Sequence, residues 1–415
     1  MKQILVVEPS VHICVNDNNE VLFYNTYNYN FLYYKDSNIV KIARTLLSEN
    51  NNYVIYLQNK NTKIEKKFID ELIANNMGFV HSLKNTMRKP IQLYPISAVQ
   101  KSSELNDEDY SILIRKNILK HLNEATVYFN RVKSGVNNHI LHKQFVYPIL
   151  DENNSEIELT IENIIHFFES IKYSSLKNIN IVGSNLLNFN GFSSLVSYLS
   201  SFNANKRYFL RLSEIVFDNF MRIKEINPED TTIVLTIFAD SELNELERAI
   251  ISLQNLNLNF QFRCAVASEM EAVFFKELFT RYKISNYHII PYLDNTNFRF
   301  FCKNVFLTFE EVLELQNSMI NIHTNEHINP LFFGKICLMP DNSVRSDIHS
   351  ENPIGYNDDN FVIQEALYIA LSTENSWRLT RNKVESCKDC VARNICTPIS
   401  NYEIMLQKYK ICEQQ

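Results

Sequence analysis

Short apolar strands alternate with segments of helical periodicity between about residues 120 and 300. This alternation constrains the fold more than any other feature, because successive strand–helix units place their strands parallel in one sheet with helices packed against it. The sequence therefore predicts an α/β fold whose parallel sheet is open or partly closed as a barrel. The predicted strands are 125–130, 179–183, 208–213, 232–238, 260–266 and 287–293, and the predicted helices are 161–173, 193–201 and 241–253.

Before this region, three short runs rich in β-branched and aromatic residues are separated by polar turns. The runs VHICV (11–15), VLFYNT (21–26) and NFLYY (30–34) predict a three-stranded meander. Apolar residues at helical spacing predict helices at 38–48 and 62–75, and further strands are expected at 53–58 and 78–83. Together these elements predict a winged-helix-like module.

Polar segments at 84–108 and 321–330 are candidate linkers. They divide the chain into a winged-helix-like module (1–88), a partial (β/α) barrel (109–320) and a small cysteine-bearing domain (331–415).

Composition excludes several classes of function. The 41 Lys and Arg against 47 Asp and Glu give a net charge of −6, so no global basic field favours nucleic acid. Only 6 glycines are present, and none form a dinucleotide fingerprint or a P-loop. The start MKQILVVEPS has too short an apolar run for a signal peptide, and no run reaches the 18 residues of a membrane helix. We therefore expect a cytoplasmic protein without membrane partners.

The strongest chemical signal is a cluster of cysteines near the C-terminus. Cys387, Cys390 and Cys396 form a C-x2-C-x5-C arrangement, and Cys412 follows. A C-x2-C pair can place two thiolates on one ion, and four thiolates can hold zinc or a [4Fe–4S] cluster. The spacing does not choose between zinc and iron. The alternative is that these cysteines are small buried hydrophobic residues.

The residues around this cluster resemble a SPASM domain, the C-terminal extension of many radical SAM peptide maturases. The resemblance rests on Cys337, the PDNSVRS turn that follows it, IGYN at 354–357, Trp377 and the C-x2-C-x5-C run. The family usually has seven cysteines that bind two auxiliary clusters, and here the second falls on Ser346 and the sixth on Ser400. The resemblance implies one complete site (Cys387, Cys390, Cys396 and Cys412) and one dismantled site that keeps only Cys337.

The resemblance also implies a C-x3-C-x2-C triplet after the first barrel strand, and the sequence has none. In the most natural register Ser134, Asn138 and Leu141 stand at the three positions. The family's Gly-Gly-Glu turn, which holds the amino end of S-adenosylmethionine, is replaced by Gly183, Ser184 and Asn185. These losses predict that S-adenosylmethionine is not a cofactor.

An alternative use of the same loop is a metal pair formed by His139 and His142. Two histidines without a neighbouring Asp, Glu or Cys are a weak metal signature.

The overall pattern resembles the pseudo-radical-SAM proteins that accompany radical SAM peptide maturases in systems with double-glycine leader peptides. This resemblance implies a catalytically inactive partner that binds a precursor leader peptide, a maturase, or both. In such a protein the N-terminal module would add the leader as a strand beside 30–34 and 62–75. The predicted contact residues are Phe31, Tyr33, Lys66 and Lys67.

Two other interpretations stay open. The chain could be an iron–sulfur protein that uses one auxiliary cluster for electron transfer or peptide modification. It could also be a purely structural α/β protein whose cysteines are reduced and buried.

Overall fold

A computed structural model describes residues 2–57, 62–83, 114–133, 140–151, 157–216, 218–256, 258–294, 296–410 and 412. The expected linker at 84–108 lies outside these residues. Every helix within them is too short or too polar to span a bilayer.

The N-terminal part contains two small antiparallel sheets and two helices. One sheet has the order β2-β3-β4, and this is the predicted meander. We call it the N-terminal sheet. The other has the order β5-β1-β6, in which β1 was not predicted as a strand. The elements are β1 (Lys2–Val7), β2 (Val11–Val15), β3 (Val21–Asn25), β4 (Phe31–Tyr34), α1 (Ser37–Leu47), β5 (Val54–Tyr56), α2 (Lys63–Ala74) and β6 (Gly78–Leu83).

Both helices begin at side-chain caps and bury one apolar face. Asp36 accepts hydrogen bonds from the first turn of α1, and Thr62 forms a capping box with Glu65 at the start of α2. Phe68 of α2 packs against Phe23 of β3 with ring centroids 5.1 Å apart. The helices therefore close one face of the β2-β3-β4 sheet.

The predicted parallel sheet is present and has nine strands in the order β14-β13-β12-β11-β10-β7-β15-β16-β17. All pairs from β14 to β15 are parallel, and β16 and β17 add antiparallel strands. The strands are β7 (Glu124–Tyr128), β10 (Asn178–Val182), β11 (Asn205–Arg211), β12 (Thr231–Phe238), β13 (Asn259–Val266), β14 (Tyr287–Pro291), β15 (Lys335–Leu338), β16 (Ser343–Arg345) and β17 (Gly355–Tyr356).

Two short strands, β8 (Arg131–Lys133) and β9 (Ile149–Asp151), pair in parallel outside this sheet. Further α-helices are α3 (Leu141–Gln144), α4 (Ile161–Ser170), α5 (Phe192–Leu199), α6 (Leu212–Val216), α7 (Leu243–Gln254), α8 (Glu269–Tyr282), α9 (Phe298–Val305), α10 (Phe309–Leu313), α11 (Met319–His327), α12 (Ile363–Ser372) and α13 (Asn401–Leu406).

Alternation along the strands gives the large sheet two different faces. Residues such as Ile181, Tyr208 and Phe262 belong to the main core with the apolar sides of α4, α5, α7 and α8. The opposite face is buried by a second cluster that includes Val182 and Phe209. We call these the helix-covered face and the opposite face.

The segment 321–330, expected as a linker, is instead largely the helix α11. Ser318 caps this helix, and Ile322 is fully buried among residues of the N-terminal sheet and the C-terminal part. The prediction was wrong because only Met319 and Ile322 of this polar helix are buried, which leaves no readable apolar periodicity.

Candidate functional site

Three of the predicted metal cysteines lie in a compact run of turns at residues 387–396, which we call the cysteine segment. The N–H of Cys390 donates to the carbonyl of Cys387 at 2.9 Å, and the N–H of Cys396 donates to Ala392 at 2.8 Å. Cys387 is buried, and its thiol donates to the carbonyl of Tyr409 at 3.3 Å. The local turns thus bring the first three cysteines into one region.

A buried arginine lies beside this cysteine segment. Nη1 of Arg381 is 3.7 Å from Sγ of Cys387 and 3.0 Å from Oε1 of Glu403. Its Nε donates to the carbonyl of Thr397 at 2.7 Å. Burial alone would lower the pKa of Arg381, but the neighbouring Cys396 and Glu403 outweigh that effect and raise it. Arg381 therefore remains a cation beside two of the sulfurs.

The donor set of the cysteine segment suits a thiolate-bound metal, since three thiols and a buried cation lie in the same region. Burial raises the pKa of Cys390 and Cys396, and so favours their protonated form when no metal is bound. Among the described residues, however, no three His, Cys, Asp or Glu side chains are gathered closely enough to hold one ion. The four-cysteine site therefore stays a prediction.

The two serines that the resemblance aligns with cluster cysteines make ordinary hydrogen bonds. The Ser346 hydroxyl donates to Asp347 at 3.1 Å. Ser400 caps α13 in a reciprocal capping box with Glu403. Cys337 is buried, and burial together with the nearby Asp347 raises its thiol pKa. Both serines thus have structural roles at the sites where the resemblance implies cluster ligands.

The N-terminal sheet packs directly on the cysteine segment. Nδ2 of Asn16 donates to the carbonyl of Asp389, between Cys387 and Cys390, at 2.7 Å. Leu22 and Tyr24 are fully buried in an apolar cluster that also contains Val391, Ala392 and Ile395. The cysteine segment is therefore part of the contact that holds the N-terminal part in place.

The loop expected to hold the cluster triplet is only partly within the described residues. Ser134, Asn138 and His139 lie outside them, so neither their positions nor a pairing of His139 with His142 is tested. Leu141, the third triplet position, is buried with Phe145, Tyr147 and Ala265 against Phe238 and Tyr292. Three edge-to-face ring contacts join these aromatic residues. An aromatic cluster thus fills the space around this position.

The turn Gly183-Ser184-Asn185 is held by its neighbours. The side-chain amide of Asn130 donates to the carbonyl of Ser184 at 2.7 Å and accepts from its N–H at 2.9 Å. Asn185 adopts a left-handed backbone with φ of 59°, which asparagine tolerates better than most residues. A Cβ at Gly183 would lie 1.7 Å from the ring of Phe129. This glycine is needed for packing.

A carboxylate that the sequence analysis did not single out lies at this turn. Glu214, at the start of α6, is buried and accepts from the N–H of Arg211 at 3.2 Å. Burial raises its pKa, although Arg211 and the backbone N–H groups of Asn185 and Leu186 favour the charged form. The sequence signal for this residue is its position three residues beyond the C-terminal end of β11, because the C-terminal ends of parallel strands meet at one edge of the sheet. Arg381, by contrast, has no distinguishing signal in the sequence.

The predicted peptide-contact residues are divided between two faces of the N-terminal sheet. Tyr33 packs edge-to-face on Phe309, and its hydroxyl donates to Glu20 at 2.6 Å. Phe31 shares this face of β4 by alternation and is exposed. The side chain that meets α2 is Tyr34, which hydrogen-bonds Glu71 and contacts Phe68.

The two predicted lysines lie on α2. Both are exposed, and Lys67 pairs with Glu71 at 3.5 Å. Along the described residues, β4 pairs only with β3, so its other edge is open. The structure places the edge of β4 beside α2, but it does not bring Phe31 and Tyr33 to the same groove as Lys66 and Lys67.

No protein-family model matches the sequence, and no curated protein matches it. Among solved structures, a crystal structure of SuiB from Streptococcus suis is similar, with a TM-score of 0.51 and 10% sequence identity, over 98% of this chain and 99% of SuiB. The chain shares the fold of SuiB. The likeness is of fold alone.

Two further SuiB structures are similar at lower scores. SuiB bound to S-adenosylmethionine has a TM-score of 0.47 and 10% identity, covering 98% of this chain and 99% of that one. SuiB bound to the precursor peptide SuiA has a TM-score of 0.49 and 11% identity, covering the whole of both chains. The α/β class with a large, mostly parallel sheet is confirmed, while the winged-helix and SPASM assignments stay predictions.

Proposed function

We propose that this chain is a catalytically inactive, radical-SAM-like protein that binds a precursor leader peptide, a radical SAM maturase, or both. The observation that carries the proposal is the environment of Leu141. A leucine cannot ligate iron, and this one, at the position that the resemblance assigns to the third cluster thiolate, is buried among Phe145, Tyr147 and Phe238. A cluster at this position would have to displace a packed aromatic group.

The neighbouring turn supports the same conclusion. Asn130 occupies the N–H and the carbonyl of Ser184, so these backbone groups are already satisfied without a ligand. Glu214, the carboxylate that the backbone N–H groups of Asn185 and Leu186 approach, already interacts with Arg211. We infer that the pocket for the amino end of S-adenosylmethionine has been lost. SuiB, whose fold this chain shares, is known with both that ligand and a peptide; for this chain we propose only the peptide role.

Peptide capture is proposed at the open edge of β4, within the module 1–88. An extended leader would pair with this strand through backbone hydrogen bonds, as in other strand-addition complexes. The exposed ring of Phe31 lies on this strand, and Lys66 and Lys67 lie on the adjacent α2. Tyr33 lies on the same face of β4 as Phe31, away from α2, and would support the strand from there because it packs β4 against Phe309.

The absence of cosubstrate chemistry is tested by anaerobic reconstitution with iron and sulfide, followed by addition of S-adenosylmethionine and a reductant. We expect no 5′-deoxyadenosine and no methionine. Formation of either product would overturn the proposal.

Peptide binding is tested with random 20-residue peptides displayed on phage and selected on the whole chain. The affinity of each selected peptide is then measured by fluorescence anisotropy. Phe31→Asp should weaken binding at least tenfold, whereas Tyr173→Asp, a change at a distant exposed aromatic residue, should not. A library that yields no binder, or binders unaffected by Phe31→Asp, would contradict capture at β4.

A second candidate function is that of an iron–sulfur protein with one auxiliary cluster in the domain 331–415. The observation that favours it is the cation of Arg381 beside Cys387, because the thiolates of Cys387, Cys390, Cys396 and Cys412 would add negative charge that this cation offsets. A bound cluster would supply electron transfer, and zinc would supply only structural support.

Metal analysis of anaerobically purified chain separates the two roles. Zinc as the bound metal would be consistent with the non-catalytic role. Iron and sulfide in equal amounts would favour the iron–sulfur function. With Cys387→Ala and Cys390→Ala, loss of metal together with loss of fold would establish the site.

A further inference from the structure

Three arginines lie on the opposite face of the large sheet. In β11, Tyr208 and Leu210 belong to the core of the helix-covered face, so Arg207 and Arg211 alternate onto the opposite face with Phe209. In β13, Phe262 and Cys264 belong to the same core, which places Arg263 on the opposite face by the same alternation.

The strand register places Arg211 and Arg263 at one level, and it places Arg207 four residues earlier, at the level of Thr232 and Asn259. Arg211 is the Cα partner of Thr236, Thr236 is that of Arg263, and Arg263 is that of His288. Since neighbouring strands are about 4.8 Å apart, Arg211 and Arg263 start about 10 Å from each other. Their long side chains can therefore approach one ligand from two sides.

Arg263 reaches across β12 to the ring of Phe209, which lies two residues from Arg207 on the same face of β11. Its Cζ lies 4.8 Å from the ring centroid of Phe209. Burial, followed by the charge of Arg207, lowers its pKa to about 10. Within the described ranges, neither Arg207 nor Arg263 takes part in an ion pair, whereas Arg211 pairs with Glu214 at 3.8 Å.

The acidic groups near Arg263 in the described part of the chain do not form an ion pair with it. Glu124 contributes a favourable field at Arg263, but it lies 3.7 Å from the amine of Lys335. Tyr402 of α13 is also near, and its hydroxyl is already donated to the carbonyl of Pro291 at 2.9 Å. A partly buried guanidinium that is repelled by a second one and has no carboxylate in an ion pair with it is unfavourable unless an anion completes the group.

We propose that Arg207 and Arg263 form a binding site for an anionic ligand with carboxylate or phosphate oxygens. The planar guanidinium fork binds either oxyanion in a two-bond geometry, and Phe209 fixes the plane of Arg263. Arg211 and His288 border the site at the level of Arg263. An acidic stretch of a precursor peptide is one source of such carboxylates, and that identification alone rests on the proposed function.

The site is tested on the full chain by isothermal titration calorimetry with two probes, hexaglutamate and inorganic pyrophosphate. We expect one of them to bind with a stoichiometry of one, and Arg263→Gln and Arg207→Gln each to weaken it about tenfold or more. Arg263→Lys should recover only part of the affinity, because it restores the charge without the fork. Preference for hexaglutamate would identify carboxylates as the ligand groups, and preference for pyrophosphate would identify phosphate.

The matched control is Arg248→Gln, which removes the same charge from an exposed position on α7. It should leave binding unchanged, and circular dichroism should show that all variants are folded. If Arg263→Gln does not fold, Arg207→Gln decides alone. Failure of both probes to bind, or equal binding by wild type and both Gln variants, would overturn the site. Because Phe31→Asp should not affect these probes, a failure here is distinct from a failure of leader capture at β4.

Discussion

The guanidinium of Arg381 lies 3.0 Å from the carboxylate of Glu403, and both side chains are almost completely buried. Because Glu403 lies in α13 and also accepts a hydrogen bond from the N–H of its N-cap residue Ser400, this one pair joins the cysteine segment to α13. Because burying the two charges is costly, the intact pair adds little net stability. Removing one partner, however, leaves the other charge buried and unpaired, which is strongly destabilising.

We predict that Arg381→Met and Glu403→Gln each lower the free energy of unfolding by about 3–5 kcal/mol, because each leaves a buried group without its partner. The measurement is urea unfolding followed by circular dichroism. Lys172→Met, which breaks an exposed pair with Glu169, serves as the control and should have no measurable effect on the free energy of unfolding. Single-variant losses below about 1 kcal/mol would show that the buried pair is not needed.

Tyr24 connects the N-terminal sheet to the C-terminal part through its hydroxyl. It donates to the carbonyl of Leu315 and accepts from the N–H of Asn317 at 2.9 Å. Tyr24→Phe should destabilise the chain by about 1–3 kcal/mol, since it leaves two backbone groups without partners at a buried contact. Tyr27→Phe changes a ring that is 86% exposed and should have no measurable effect in the same denaturation assay. Equal stability of the two variants would contradict this role of the hydroxyl.

Gly183 is expected to tolerate no side chain. In Gly183→Ala the new methyl group would overlap the ring of Phe129, which is itself buried against Phe189. We expect a loss of about 3 kcal/mol, at the upper end of overpacking effects. Thermal and urea unfolding of Gly183→Ala, Phe129→Leu and the double variant form the test. The double variant should lose less than the sum of the single variants, and strict additivity would refute the steric explanation.

His12 should make stability depend on pH. Burial lowers its pKa from 6.5 to about 4; Glu326 opposes this shift, and His323 and Arg393 add to it. The unfolded chain therefore binds a proton at His12 below pH 6.5, while the folded chain resists until about pH 4. The contribution is fully present above pH 6.5 and is lost as the pH falls through this window, by about 3 kcal/mol in total.

The measurement is the free energy of unfolding between pH 7.5 and 4 for the wild type and for His12→Gln. The variant should show a shallower decline, because Glu326 and the other carboxylates remain in both chains. Parallel curves would mean that His12 titrates alike in the folded and unfolded states.

The sequence predicted the elements whose apolar pattern is local. The strands β10 and β12 are mostly buried on both faces and appear as largely apolar runs, and α1 has four buried residues at helical spacing. By contrast, β1 is a strand because it lies between β5 and β6, which come much later in the chain. The polar helix α11 was missed because its burial depends on the N-terminal sheet.

The candidate sites show the same division. Spacing alone indicated the cysteine segment, since C-x2-C is a local pattern. The arginine beside it, the carboxylate at the Gly183 turn and the arginines on β11 and β13 are brought to their sites by tertiary packing. The presence of a charged residue in the sequence does not indicate which residues from distant elements will contact its side chain.

The parallel pairing of β15 with β7 has a consequence for how the chain is made. As synthesis proceeds from the N-terminus, β7 can pair with β10 early, but its other edge has no partner until Leu338 has been added. The face of the N-terminal sheet that carries Leu22 and Tyr24 is covered even later, because its packing partners Val391 and Ile395 are synthesised after β15. A nascent chain therefore exposes an unpaired strand edge and an apolar surface together, which are the features that promote aggregation and chaperone binding. We expect ribosome-bound or truncated chains that end before β15 to need a chaperone that the complete chain does not.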